Sequence, residues 1–260
     1  MNRLGKFQVL TAACLVTLLL SLTGISHARA FKSPGFGGST GLISTPTANT
    51  GWEDTRLGLD MGITYITEGE GDFIPKVSLQ AFGKLEVGAA YDIQEDDDSN
   101  DLLLHAKFRF YGSGSSALAI GGVYQNLKQL DQDETVTQLY LAATYGGNFF
   151  SMPAETTIVI GKSFGDLIGD EDIDFSMGFD LDMLPRLFKG YVHWISDFSN
   201  YSYNYYIPVG SSAARGIFNT GARLAILKTS RFKFNIDAVI TDALDNNRSF
   251  ALGAAFGLAL

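Results

Sequence analysis

The sequence predicts an all-β fold: a transmembrane, antiparallel, up-and-down β-barrel of about twelve strands with a polar lumen. Three observations predict it. Apolar and polar residues alternate with period two in about a dozen segments between Arg56 and Leu260. Most segments have the roughly 9 to 11 residues that a tilted strand needs to cross hydrocarbon. The connections between them alternate in length. Over Arg231 to Thr241 one face carries Phe232, Phe234, Ile236, Ala238 and Ile240, and the other Lys233, Asn235 and Asp237. Over Asp101 to Phe110, Leu102, Leu104, Ala106, Phe108 and Phe110 oppose His105, Lys107 and Arg109. A membrane barrel gives the apolar face to lipid and the polar face to its lumen.

The chain opens with Arg3 and Lys6, a mostly apolar run from Val9 to Leu22, and Ala28-Arg29-Ala30. This is the pattern of an export signal with a small-x-small cleavage site, so residues 1–30 are expected to be removed and the mature chain to begin at Phe31. Leu10-Thr11-Ala12-Ala13 before Cys14 looks like a lipoprotein box, but cutting there leaves too little apolar segment for export. Removal of 1–30 takes away the only cysteine and three of the 19 basic residues, leaving 16 against 28 acidic ones and a net charge of −12. An acidic, cysteine-free chain has no disulfide framework and no basic stripe for nucleic acid.

Residues 31–54 precede the first strand and are rich in Gly, Ser, Thr and Pro. They read either as a periplasmic lead-in or as a plug folded into the lumen. Residues 55–260 are the barrel, with strands expected at 55–66, 73–83, 84–94, 101–111, 116–125, 136–146, 154–162, 173–182, 187–197, 215–227, 231–241 and 248–260. The odd-numbered connections are mostly long and several are acidic, as in Glu95-Asp96-Asp97-Asp98 and Gly169-Asp170-Glu171-Asp172. The even-numbered ones are mostly short and hold turn-forming Gly, Pro, Ser or Asn. Long loops at one end and short turns at the other is the polarity of a bacterial outer-membrane barrel with both chain ends in the periplasm. Tyr65, Phe73, Tyr91, Phe110, Tyr124, Tyr145, Phe188, Trp194 and Phe250 fall on the outward face near strand ends, where aromatic residues favour the headgroup level.

The last strand, Arg248 to Leu260, sets Phe250, Leu252, Ala254, Phe256, Leu258 and Leu260 against small residues. It looks like the C-terminal recognition strand of outer-membrane barrels, which implies the barrel-assembly machinery as a partner in biogenesis, although Leu260 stands where such strands usually end in Phe or Trp. The stretch Gly38 to Ala48, with Gly41-Leu42-Ile43-Ser44-Thr45-Pro46-Thr47-Ala48 at its centre, resembles the opening of YjbH-like outer-membrane proteins associated with exopolysaccharide production. The resemblance covers some twenty residues and implies a barrel context with a role near polysaccharide export.

Alternation assigns to the lumen Arg56, Asp60, Lys76, Lys84, Glu86, Asp92, His105, Lys107, Arg109, Asp174, Asp180, Lys189, His193, Arg223, Lys233 and Asp237. They line either a narrow conducting pore or a lumen closed by salt bridges. Lys76, Lys84, His105, Lys107 and Arg109 form a basic wall on three consecutive strands, able to attract acidic sugars unless Glu86 and Asp92 pair with it. No catalytic residue is assigned, because only His105 and His193 remain after export and no nucleophile motif accompanies them. Asp96-x-Asp98-x-Asn100 has calcium-loop spacing without the glycine or the closing Glu, so neither metal nor cofactor is expected. The expected partners are outer-membrane lipid, lipopolysaccharide at the acidic loops, and a saccharide or other small polar solute. The expected function is a passive channel, and the alternative is a closed structural or adhesive barrel acting through its loops, among them the one carrying Tyr201, Tyr203, Tyr205 and Tyr206.

Overall fold

In the computed structural model, residues 31–67, 71–94, 100–129, 132–165, 173–201, 216–246 and 248–260 are described. Residues 1–30, where the leader is expected, the acidic stretches at 95–98 and 169–172, and Tyr203, Tyr205 and Tyr206 lie outside them. Two short strands, β1 (Ser33–Pro34) and β2 (Thr40–Gly41), pair with each other. Twelve more follow: β3 (Leu57–Ile66), β4 (Asp72–Ala81), β5 (Leu85–Asp92), β6 (Asp101–Ser113), β7 (Ser116–Gln129), β8 (Gln132–Phe149), β9 (Met152–Phe164), β10 (Asp174–Asp182), β11 (Val192–Ser199), β12 (Ile217–Lys228), β13 (Phe232–Thr241) and β14 (Ser249–Ala259). Each pairs antiparallel with its sequence neighbours, and β14 returns to β3, so the sheet closes without a free edge. Closure satisfies every ladder group internally, which a lipid environment demands.

The alternation governs which way side chains point. On β13, Phe232 and Ile236 are exposed while Lys233, Asn235 and Val239 are buried inside. On β14, Phe250, Leu252 and Phe256 face out over buried Ala251 and Ala255. Tyr65, Phe73, Tyr91, Phe110, Tyr124, Trp194 and Phe250 are exposed as expected, and Tyr145 is half-buried. An Ile236→Arg substitution puts a charge on this outer face midway along β13. It is expected to cost about 2–4 kcal/mol, measurable by urea unfolding in lipid vesicles.

Three local departures have physical causes. The ninth strand begins at Val192 rather than 187, because Pro185–Phe188 form a one-turn helix, α1. Proline at its start supplies a preset helical φ and lacks only an N–H that has no partner there anyway. The β7–β8 and β8–β9 hairpins are longer than alternation alone indicates. β8 has 18 residues and turns into β9 through Phe150 and Ser151, both at positive φ (45° and 69°), which gives the strand-matching twist of a primed turn. Finally, a bulge between Arg109 and Tyr111 shifts register, so Phe110 and Tyr111 both face outward.

Candidate functional site

Residues 31–54 lie inside the barrel, and the site is the layer of contacts between them and the inner wall. The segment is too short and too poor in large apolar side chains to build a core of its own. Yet most of it is buried, so its backbone N–H and C=O groups need partners. Strand pairing supplies few, since β1–β2 and a Gly41–Pro46 bridge are its only regular structure among the described residues. Turns within the segment add others, such as Phe36 N–H to Ile43 O at 2.7 Å, and the wall supplies many more, largely through ionised side chains.

Four buried cations end on carbonyls of the segment. Lys76 Nζ donates to Gly35 O (2.8 Å) and Lys107 Nζ to Thr40 O (2.9 Å). Arg223 spreads its fork over Gly41 O (3.2 Å) and Leu42 O (3.1 Å). Lys233 Nζ reaches Lys32 O (2.8 Å) and Gly51 O (3.0 Å). Carboxylates take the N–H groups. Asp197 Oδ2 accepts from the amides of Ile43 (3.0 Å), Ser44 (2.7 Å) and Thr45 (2.9 Å), and Glu86 accepts from those of Thr40 (2.8 Å) and Gly51 (3.3 Å). Asp60 accepts from Trp52 Nε1 (2.9 Å), and Ala48 N–H donates to Thr144 Oγ1 (2.8 Å). Hydrogen bonds to charged groups are the stronger kind, so this set holds the segment tightly.

The same ions pair with one another, which offsets the cost of burying them. Lys107 Nζ is 3.2 Å from Glu86, Lys233 Nζ is 2.9 Å from Asp60, and Arg223 makes a bidentate contact with Asp237. Arg109 pairs at 3.0 Å with Glu53 of the segment. His105 Nε2 stands 3.7 Å from Glu86. Of the basic wall expected on β4–β6, Lys107 and Arg109 are thus paired with Glu86 and Glu53, while Lys76 is taken up by Gly35 O and by Thr64 Oγ1 (2.7 Å). Towards the long-loop end, Phe36 and Ile43 of the segment join Ile66, Ile74, Leu103, Ile195 and Val239 in an apolar layer.

Sixteen lumen residues were expected from alternation, and three stand elsewhere. Arg56 precedes β3, Lys84 sits in the β4–β5 turn and Lys189 closes α1; all three are exposed to the surroundings. Period-two assignment fails there because the strands have ended. Asp92 is buried at the end of β5 opposite Asp101. Asp174 accepts from Gln138 (2.9 Å) and Ser163 (2.6 Å) near the long-loop end. Asp180 and His193 form a buried pair, Nδ1 to Oδ1 at 2.6 Å, while His193 Nε2 meets Gly190 O at 3.2 Å.

Several residues that matter were not singled out from sequence, namely Asp197, Glu155, Asp182, Thr144, Trp52 and Glu53. The first three share the inward parity of Asp180 and His193, so extending alternation to strand ends would have found them. Together Glu155, Asp174, Asp180, Asp182 and Asp197 make the inner faces of β9–β11 strongly acidic, and no Lys or Arg stands among the described residues on those faces. Tyr201 folds back over the long-loop mouth, buried, with its hydroxyl 3.1 Å from Ser176 Oγ. Between it and the segment lies a cavity of about 40 Å³ bordered by Ser39, Thr45, Gln125 and Gln138.

A closed twelve-strand antiparallel barrel, apolar outside and ionic within, is the fold of transmembrane β-barrels. Solved structures sharing this fold include the NanC porin (TM-score 0.53, 12% identity, covering 78% of this chain and all of that one). The KdgM porin is similar at TM-score 0.52 and 8% identity, covering 77% of this chain and 99% of that one; a second structure holds it in complex with disordered oligogalacturonate. No protein-family model matches the sequence, and no curated protein does.

Proposed function

We propose that the protein is an outer-membrane channel for small polar solutes, saccharides among them, whose lumen is plugged by residues 31–54 and conducts when that segment is displaced. One observation carries this reading. The wall ions are engaged with the backbone of a segment whose covalent link to the barrel is at its C-terminal end, next to β3. A barrel closed for good can pair its charges with each other, as Lys107 and Glu86 do, and needs no such insert. The fold likeness to porins, one of them bound to an oligogalacturonate, supports a saccharide as solute. The resemblance of Gly38 to Ala48 to YjbH-like proteins is the reason for extending the proposal to polysaccharide export. Catalysis is not part of it: both ring nitrogens of His193 are engaged inside the barrel, and His105 is buried in the lumen, away from lipid.

Planar-bilayer recording of the refolded mature protein tests the proposal. Discrete, flickering conductance steps are expected, with neutral oligosaccharides interrupting the current. The filled lumen also favours a second reading, a closed barrel working through its loops. Silence both from the folded chain and from a chain lacking 31–54 that still shows heat-modifiable gel mobility would leave that reading standing instead.

A further inference from the structure

The inner faces of β9 and β10 set two carboxylates directly against each other. Glu155 on β9 and Asp180 on β10 are direct cross-strand partners, both facing inward and both buried. Like charges so placed repel and destabilise a sheet. Asp182 follows two residues on, also buried. His193 meets Asp180, and the neighbouring fixed cation, Arg223, is taken up by Asp237. Further positive charge reaches this cluster from residues 31–54. The Lys32 ammonium is seated on Glu155, where Asn49 Nδ2 also donates at 3.2 Å.

The residue before Lys32 completes the pattern. Phe31 is buried, its ring 6.4 Å from that of His193, and it borders a small cavity together with Glu155, Asp180, Lys32 and Arg223. It is also the residue that follows Ala28-Arg29-Ala30. Hydrolysis of the Ala30–Phe31 peptide bond by an export leader protease adds one water. The carboxylate departs with Ala30, and the amine stays on Phe31 and takes up a proton. A neutral amide of a residue that borders this cavity thereby becomes a cation.

We propose that the α-ammonium of Phe31, created when the leader is cut, is the ligand of the Glu155–Asp180 pocket, and that its docking there fastens the free end of the plug. This rests on the plug reading above and deepens it: leader removal and closure of the lumen become one event, because an uncut chain offers the pocket no ammonium at this position. Two cations, Lys32 and the new terminus, then stand beside two opposed carboxylates. Asp182 and His193 complete the surroundings.

The test uses the exported, processed protein. Mass spectrometry first establishes the N-terminus, which is expected at Phe31; a terminus elsewhere overturns the proposal. The α-amine is then acylated with an N-hydroxysuccinimide acetate at neutral pH, folded and urea-unfolded. At least ten-fold slower modification is expected in the folded protein, and an equal rate overturns the proposal. Burial alone would also slow acylation, so a second comparison isolates the charge. A chain beginning with one extra glycine before Phe31 is expected to lose its folded gel mobility at a lower temperature than the processed protein. The same extension in a Glu155→Gln, Asp180→Asn background is expected to have no further effect. Equal sensitivity to the glycine in both backgrounds contradicts the proposal. None of these readouts depends on conductance, so a silent bilayer would count against the channel without touching this inference.

Discussion

Asp197→Ala is expected to loosen residues 31–54 by about 3 kcal/mol, roughly a hundred-fold in the population of the displaced state. One carboxylate oxygen there accepts three successive amides, Ile43 to Thr45, and the other accepts from Asn219 Nδ2 at 2.9 Å. Each charge-assisted bond is worth about 1.5–3 kcal/mol, and water entering the vacated space recovers part of the total. A chain that begins at Phe31 has no cysteine, so in it Thr47→Cys, a buried position within the segment, reports displacement by its rate of thiol labelling. The hundred-fold rise in that rate is the expected result. Asp197→Asn keeps an acceptor but no charge and should fall between. Unchanged labelling in Asp197→Ala would show that the turn at 43–45 does not hold the segment.

Arg223→Leu is expected to be the more damaging change to the barrel itself, by about 3–5 kcal/mol. It strands the Asp237 carboxylate in the lumen and leaves the carbonyls of Gly41 and Leu42 without their donors. Removing one partner of a buried ion pair is costly, whereas replacing both with apolar groups is often nearly neutral. Arg223→Leu with Asp237→Leu should therefore regain much of the loss in urea unfolding, less the contribution of the two carbonyls. A single variant within 1 kcal/mol of the parent would mean that the pair is not desolvated as the geometry indicates.

The barrel was legible in the sequence because its signal is local. β6, β13 and β14 each sort their side chains by a period of two, and the lipid face enforces that sorting over the whole span. The contents of the barrel were not. Ser33 meets Asn235 across 202 residues and Ile43 meets Asp197 across 154, and no spacing rule connects a glycine-rich lead to a wall that distant. The sequence therefore left residues 31–54 open between lead-in and plug, and it left the charges of β4–β6 open between a free basic wall and a paired one. The strand ends were the weakest part. Lys84 and Lys189 keep the inward parity but sit in turns, and α1 is one helical turn placed by a proline where alternation continues through Phe188. Asp197, which holds the turn at 43–45, closes the expected ninth strand with inward parity, so alternation carried to the strand end includes it, but nothing local says what it binds.

The central claim is that movement of residues 31–54 opens and closes the lumen. Ser33 Oγ and Asn235 Oδ1 are 2.9 Å apart, so Ser33→Cys with Asn235→Cys places two thiols where a disulfide can tie the segment to β13. Single-channel recording of this variant before and after adding a reductant to the bilayer chamber is the most direct measurement. Silence is expected when oxidised and the conductance steps of the parent when reduced, returning to silence on reoxidation. Equal conductance in both states, with the disulfide confirmed by mass, would contradict it.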